Sequence, residues 1–582
     1  MRDSALAADV GVEWRRVWPE ALGLWSRFAR LREPLLCATT DEARRAGLDD
    51  SFAMIRLTDQ LIVINLEQVV ELGLSDLPLE IMGHEIGHHI LCPATLTDQG
   101  RMLARMRWAL PSVEHAAPAV ANLYADLHIN DRLQRGSGLR LDEVYRRLKA
   151  NAPEGAISDL WRLYQRIYEI LWALQSGDLS PRPLPDRIEG DAQLGSRLVR
   201  AYRSDWLEGA AGFAALCLPY LTQDPDARQV LAGWGDSLNT AGGAVPPGLT
   251  EVDAGEQQEP LHPARDPRVT DRAEPPASRP TSTEPVPSQS TPASAQHREP
   301  FEYGGLLRAL GLDLTDHEIA VRYYREAARA HLIPFPSRPA PVTGDLVPEG
   351  YAQWTVGEPL ADIDWLHSIL RSPRVVPGVT TVKRVRGPEE DTPPRVEPVD
   401  LDLYIDSSGS IANPQLRLSF LALAGSIIAM SCLRSGGRVQ ATLWSGAHQF
   451  ETSGGFITDS ERILRILTGY IGGATAFPIH ILRDTYADRH DDDRPVHVLV
   501  ISDDGVTTMF DKDEFAADGA AIARRALTRA RGGGTMVLNL YRWPDDLSPA
   551  VEMGWDVVPI TGWEELLGFA RRFARTTYAG DV

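Results

Sequence analysis

Apolar and polar positions repeat with different periods along this chain. Over residues 12–35, Trp14, Val17, Trp18, Leu22, Trp25 and Phe28 recur at spacings of three and four. That spacing predicts a helix with an aromatic core face. From Phe52 to Leu66 (FAMIRLTDQLIVINL) two short apolar runs flank Thr58-Asp59-Gln60, the pattern of a β-hairpin. Leu79 to Cys92 (LEIMGHEIGHHILC) reads as a buried helix, apolar at Leu79, Ile81, Met82, Ile86, Ile90 and Leu91, with Gly83 and Gly87 leaving room for close packing. Helices are also expected at Asn122–Leu133, from Ser158-Asp159 to Gln175, and within Leu194–Leu221. Residues 1–240 therefore form a mostly helical unit carrying one hairpin.

The pattern then breaks. Between Glu251 and Pro300 there are ten prolines and no Phe, Trp or Tyr. Such a stretch buries too little apolar area to offset its ordering entropy, so residues 241–302 are expected to be a disordered linker rich in Pro, Ser, Thr and Glu. Order resumes with Thr315-Asp316-His317-Glu318, a capping box that opens the helix DHEIAVRYYREAARAHL. Residues 303–398 read as this helix followed by a Pro-rich connector. Its Trp354, Trp365, Leu366, Ile369 and Leu370 suffice to pack on the last domain. From Val399 strands (VDLDLYID, RVQATLWS, VHVLVISDD, GTMVLNLYRW, WDVVPIT) alternate with helices (Ala412–Leu433, Ser460–Tyr470, Phe515–Arg531, Trp563–Phe573). That order predicts a doubly wound α/β sheet over residues 399–582, with ligands at the carboxyl ends of the strands.

Composition narrows the function. The 582 residues are 43% hydrophobic, enough for ordinary cores, and carry a net charge of −21. That charge argues against non-specific binding to nucleic acid or anionic membranes. Cys37, Cys92, Cys217 and Cys432 are widely spaced and read as reduced core residues. The N-terminal MRDSALAADVGVEWRRVW is charged where a signal peptide would be apolar. The run Phe420–Leu433 is interrupted by Gly425, Ser426 and Ser431 and falls short of the ~20 residues of a membrane span. A soluble, cytoplasmic protein is expected.

Two stretches carry chemistry. His84, Glu85 and His88 spell H-E-x-x-H. Residues four apart on a helix share a face, with Cβ atoms ~5–6 Å apart, so two imidazoles can meet one zinc ion with Glu85 beside them to take a proton from water. A third ligand is needed. Asn122, Asp126 and Asn130 form a polar stripe on an otherwise apolar helix, costly to bury unless satisfied. Asp126, oriented by Asn122 or Asn130, is the expected third ligand; His128, His115, Glu114 and Cys92 remain alternatives. His89 points about 100° away from His88 and reads as an outlying histidine. A hairpin leading into such a helix resembles the zincin metallopeptidases.

The second constellation lies in the α/β region. Asp406-Ser407-Ser408-Gly409-Ser410 fits D-x-S-x-S, Thr475 lies in GGATAF, and Asp503 follows the strand VLVIS. Oxygen donors from three distant loops suit a hard divalent cation. This region resembles a von Willebrand factor A domain. By that resemblance Asp406, Ser408, Ser410, Thr475 and Asp503 are the ligands of a Mg²⁺-dependent adhesion site that captures a carboxylate of a protein partner. Ala476 and Asp504 depart from the family's usual pattern, and Asp504 competes with Asp503 for its role.

The whole chain resembles bacterial two-domain proteins that join a metallopeptidase-like domain to a C-terminal A domain. Proteins of that kind often accompany MoxR-type AAA+ ATPases. The resemblance implies a zinc-dependent peptidase that recruits a substrate or ATPase partner through Mg²⁺. The alternative it leaves open is a non-catalytic adaptor of an ATPase complex with a structural or vestigial zinc site.

Overall fold

A computed structural model describes residues 2–26, 28–49, 51–151, 158–223, 245–253, 255–270, 297–333, 337–339, 347–387, 396–490, 493–513, 515–540, 547–562 and 564–578. The chain divides into two compact units, residues 1–326 with 415–417, and residues 327–414 with 418–582. Among the described residues no helix is long and apolar enough to cross a membrane.

The first unit opens with α1 (Arg2–Gly23), β1 (Leu35–Cys37), α2 (Thr40–Arg45), β2 (Ala53–Arg56), β3 (Leu61–Asn65) and α3 (Leu66–Glu71). The hairpin is present: β2 pairs antiparallel with β3, and β1 adds a parallel third strand on the other side of β3. The first helix differs from its expected span. It ends at Gly23 rather than near residue 35, because Trp25 turns inward, its indole Nε1 donating to the Gly83 carbonyl at 2.7 Å. Phe28, expected on the core face, is 89% exposed.

Next come α4 (Pro78–Ile90), α5 (Leu96–Ala109), α6 (Ala117–Ser137), α7 (Leu141–Asn151), α8 (Asp159–Leu171), α9 (Asp186–Ala201) and α10 (Trp206–Gln223). Pro78 starts α4 where a missing N–H costs nothing, and Gly138 ends α6 in the left-handed conformation at φ 68°. Ser158 Oγ accepts from the Trp161 amide and caps α8. Ile81, Met82 and Ile86 of α4 share one core with Trp14, Trp18, Trp25, Ile129 and Leu133. The contact is close at Gly87, where an added Cβ would lie 2.5 Å from Ile129 Cγ2. Helices α4 and α6 are thereby locked side by side.

Part of the expected linker is built into this unit. Residues 263–265 form a 3₁₀ turn, followed by α11 (Pro267–Thr270). Polar anchors replace the missing apolar residues. Buried Arg105 donates to Asp253 (3.1 Å) and Glu208 (3.0 Å), Tyr202 donates to Asp266 (2.7 Å), and Arg298 Nε reaches the Leu249 carbonyl (3.1 Å). Composition alone undervalues such anchors. Residues 241–244, 254 and 271–296 of the expected linker lie outside the described residues. Then α12 (Pro300–Ala309) and α13 (Asp316–Arg329) follow, the latter opened by the reciprocal Thr315–Glu318 capping box.

In the second unit the expected connector holds two small antiparallel ladders, β4 (Ser337–Pro339) with β7 (Val396–Pro398), and β5 (Val347–Gln353) with β6 (Val382–Gly387). Between β5 and β6 lies α14 (Trp365–Arg371). The main sheet follows as β8 (Asp400–Asp406), α15 (Phe420–Arg434), β9 (Val439–Trp444), β10 (Phe450–Thr452), α16 (Ser460–Leu467), α17 (Ile479–Ala487), β11 (Val496–Ser502), α18 (Gly519–Ala530), β12 (Arg531–Asn539), α19 (Ser548–Glu552), β13 (Asp556–Ile560) and α20 (Glu565–Tyr578). Strand order is β10-β9-β8-β11-β12-β13, parallel except at the β10 edge. The order reverses between β8 and β11, whose residues are buried throughout, as fits strands covered on both faces. That reversal is where a doubly wound sheet opens a crevice for ligands.

Candidate functional site

Helix α4 presents His84 and His88 to α6, which presents Asp126. Their ligand-capable atoms converge: His84 Nε2 and His88 Nε2 lie 3.3 Å apart, and Asp126 Oδ1 lies 3.6 and 3.4 Å from them. This is the one His/Cys/Asp/Glu group among the described residues arranged to hold a metal ion. The imidazoles are fixed from behind. His84 Nδ1 faces Asn130 Oδ1 at 2.8 Å, and His88 Nδ1 faces the Cys92 carbonyl at 3.1 Å. Both are acceptors, which assigns the protons to Nδ1 and leaves both Nε2 atoms as lone-pair donors. Asp126 Oδ1 is buried with no hydrogen-bond partner among the described residues. Three electron-rich atoms facing one another repel unless a cation sits between them, so the donor set fits a divalent metal.

The rest of the polar stripe divides differently from expectation. Asn130 orients His84 rather than Asp126. Asn122, 6% exposed on α6, has no hydrogen-bond partner for either amide atom among the described residues. The far oxygen of Asp126, Oδ2, accepts from the Tyr164 hydroxyl at 3.5 Å. Tyr145, Tyr164 and Tyr168 form a ring of hydroxyls 2.9–3.2 Å apart, closed onto the Asn130 amide. Sequence reasoning missed these tyrosines. The i, i+4 pair in α8 was visible only as part of an apolar helix face, and nothing in the sequence ties it to α6. Burial raises the Tyr164 and Tyr168 hydroxyls well above the ordinary phenol, so both stay protonated donors.

Glu85, 1% exposed, lines the same pocket as His84 and Asp126. The pocket has an empty volume of about 610 Å³ and is walled by Phe52, Ile81, Leu141, Val144, Leu148 and Trp161. The alternatives for the third ligand lie elsewhere. His115 and Glu114 are exposed, and Cys92 is buried with its thiol pushed well up by burial. His128 faces Tyr124, and burial lowers its imidazole to about 3. His89 is half-buried, its pKa lowered by desolvation.

The second constellation assembles at the sheet's reversal point. Asp406 ends β8 and is 1% exposed; its Oδ1 accepts from the Ser408 amide (2.7 Å) and its Oδ2 from the Ser502 hydroxyl (2.7 Å). Burial raises the Asp406 carboxyl, opposed by these two donors. Ser408 Oγ lies 3.1 Å from Ser410 Oγ, which donates to Asp503 Oδ2 at 3.1 Å. The Thr475 loop is tied to the first loop through Gly409 N to Gly473 O (3.0 Å) and Gly472 N to Ser407 O (2.9 Å). It abuts the third loop at Gly505, where an added Cβ would lie 2.1 Å from Thr475 Cγ2. Three loops thus bring five oxygen-bearing side chains to one end of the sheet. The Asp504 side chain lies outside the described residues.

No family model matches the sequence, and no curated protein does. Among solved structures, the chain is similar to a von Willebrand factor type A protein from Catenulispora acidiphila. The identity is 16%, the match covers 32% of this chain and 44% of that one, and the TM-score is 0.24. The chain thus spans less than half the length of that protein.

Proposed function

We propose that the first unit is a zinc-dependent peptide hydrolase and that the second binds a protein partner through Mg²⁺. The observation carrying the first part is the spacing of the three donor atoms. Ligands ~2.0–2.1 Å from a tetrahedral ion stand roughly 3.3–3.4 Å apart. The separations here are 3.3, 3.4 and 3.6 Å. Two imidazoles and one carboxylate leave a fourth position open, as catalytic zinc sites do and closed structural sites do not. When bound, zinc supplies Lewis acidity toward a peptide carbonyl and the attacking water.

The chain's own groups do the remainder. Asn130 and the Cys92 carbonyl hold the imidazoles in the ligating tautomer. Glu85 takes a proton as the water oxygen bonds to the carbonyl carbon, then delivers it to the departing amine nitrogen as the C–N bond breaks. Tyr164, protonated and 3.5 Å from Asp126 Oδ2, steadies the carboxylate ligand from behind. The apolar wall from α7 and α8 excludes water and favours a bulky apolar side chain next to the cleaved bond.

Asp406, Ser408, Ser410, Thr475 and Asp503 offer hydroxyl and carboxylate oxygens suited to Mg²⁺, with room for a partner carboxylate. Following the domain resemblance, that partner is a substrate protein or a MoxR-type AAA+ ATPase. The test measures metal content and cleavage of an unfolded protein, with and without such an ATPase, for wild type and Glu85→Gln. The reading requires about one zinc per chain in both proteins and cleavage by wild type alone. Absence of zinc, or equal behaviour of both proteins with the ATPase present, supports the adaptor instead.

A further inference from the structure

Helix α14 is packed inside out. Ser368 is fully buried; its hydroxyl donates to the Asp364 carbonyl (2.7 Å) and accepts from the Val382 amide (2.9 Å). His367 lies beside it, stacked on the exposed Tyr351 at 4.1 Å between ring centroids. The apolar residues face out: Trp365 is 52% exposed, Leu366 64%, Ile369 52% and Leu370 72%. Positions i, i+1, i+4 and i+5 form one face, which a surface helix ordinarily turns toward a core. The orientation is pinned, because Asp364 caps the helix through the His367 amide (3.0 Å) and pairs with Arg384 (2.6 Å). A contiguous exposed apolar face of this kind marks an interaction surface.

Charges at its two ends indicate the occupant. Asp362 lies just before the helix and Arg371 ends it; both are exposed and neither has an ion-pair partner among the described residues. We infer that this face pairs with the same face of a second copy of the chain, the two helices antiparallel about a two-fold axis. Antiparallel pairing sets each Arg371 beside the other copy's Asp362, twice over, and lays the apolar ridge on its own equivalent. A parallel arrangement would oppose like charges. A uniformly acidic or basic partner would leave one end mismatched, and a chain of net charge −21 is repelled by an anionic bilayer. Seven residues span only ~10 Å, so the contact belongs to the small, concentration-dependent class below about 1,200 Å² of total buried surface.

Sedimentation velocity on the full chain, from about 1 to 300 µM, spans the range in which so small an interface dissociates. The expected result is a monomer–dimer equilibrium that the exposed double substitution Leu366→Ser with Leu370→Ser weakens at least about tenfold. Its circular dichroism and melting temperature should match wild type. Because each substitution is carried by both copies and breaks both pairs, Asp362→Arg and Arg371→Asp should each weaken association about tenfold, the size of two exposed ion pairs, and together restore it. A chain that stays monomeric throughout overturns the inference, including one that instead binds phosphatidylserine vesicles. So does a dimer indifferent to the leucine substitutions, or a charge-swapped double variant no better than the singles.

Discussion

Asn130 Oδ1 stands 2.8 Å from His84 Nδ1, and the same amide donates to the Tyr168 hydroxyl at 2.8 Å. One side chain therefore couples the tautomer of a metal-ligand candidate to the tyrosine ring above it. Removing the acceptor lets His84 rotate or change tautomer, a loss that in comparable sites costs about 10–100-fold in metal affinity. Asn130→Leu should show that loss in competition with a chromophoric chelator. Asn130→Asp keeps the acceptor, and the tyrosine hydroxyls can turn to donate to it. Its affinity should stay within about threefold of wild type if orientation of His84 is the role.

The two glycines of the H-E-x-x-H helix should behave differently. A Cβ at Gly87 would sit 2.5 Å from Ile129 Cγ2 and 2.7 Å from Trp25 Cζ2, both in the packed core. At Gly83 the nearest atom is the end of Leu24, at 3.1 Å. Alanine gains about 1 kcal/mol over glycine in a helix, whereas overpacking costs about 1–3 kcal/mol. Gly87→Ala should lower the urea midpoint of the first unit and, by parting α4 from α6, reduce bound metal. Gly83→Ala should be neutral or stabilising with metal content unchanged.

What the sequence makes legible here follows the range of the interactions. His84 and His88 lie one turn apart, so local periodicity suffices to pair them. Asp126 stands out because a carboxylate in an apolar helix needs a reason. Its neighbours in the stripe could not be sorted the same way, since a rotation of α6 decides that Asn130 meets His84 while Asn122 finds no hydrogen-bond partner among the described residues. Tyr145, Tyr164 and Tyr168 depend on how α7 and α8 fold back over α6, a tertiary fact with no local signature. Likewise the three-residue strand Leu35–Cys37 exists only through its pairing with β3. Residues 245–253 and 255–270 are anchored by Arg105 and Arg298, distant in sequence from what they hold. In the second unit the parallel strands β8, β9, β11 and β12 are built on Leu401, Leu403 and Ile405, on Val439, Ala441 and Leu443, on Val498–Ile501 and on Met536–Leu538, and are easily read, while the edge strand β10, with a half-exposed pattern, is not.

Gly505 tests the oxygen cluster without touching any of its donors. Its backbone packs against Thr475 so closely that a Cβ would lie 2.1 Å from Cγ2 and 2.8 Å from Cβ of that residue. Gly505→Ala must push the Thr475 loop away from Asp503. Because donors to a hard cation need placement within about 0.5 Å, Mg²⁺ affinity by calorimetry should fall about tenfold or more. The main sheet should keep its stability, since the Thr475 loop lies beyond the strand ends. Equal Mg²⁺ binding by the variant and wild type would separate Thr475 from the ion.

Asp402 makes the second unit's stability depend on pH in the direction opposite to most carboxylates. It is fully buried in β8, and burial raises its carboxyl to about 7 despite hydrogen bonds from Tyr486 (3.1 Å) and Gln440 (3.2 Å). In the unfolded chain an aspartate titrates near 3.9. Between roughly pH 4 and pH 7 the unfolded chain has released this proton while the folded chain retains it, so the unfolded state gains on the folded one as pH rises. The contribution is complete below the unfolded value and lost by the time pH passes the folded one, on the order of 2–4 kcal/mol over the window. Asp402→Asn has no proton to lose and keeps an oxygen acceptor for Tyr486. Urea unfolding of both proteins at pH 5 and pH 8 isolates the term from all other titrating groups. The variant should gain on wild type by about 2–3 kcal/mol between the two conditions, the part of the window above pH 5, and parallel pH dependences would mean that Asp402 ionises in the folded chain as readily as in the unfolded one.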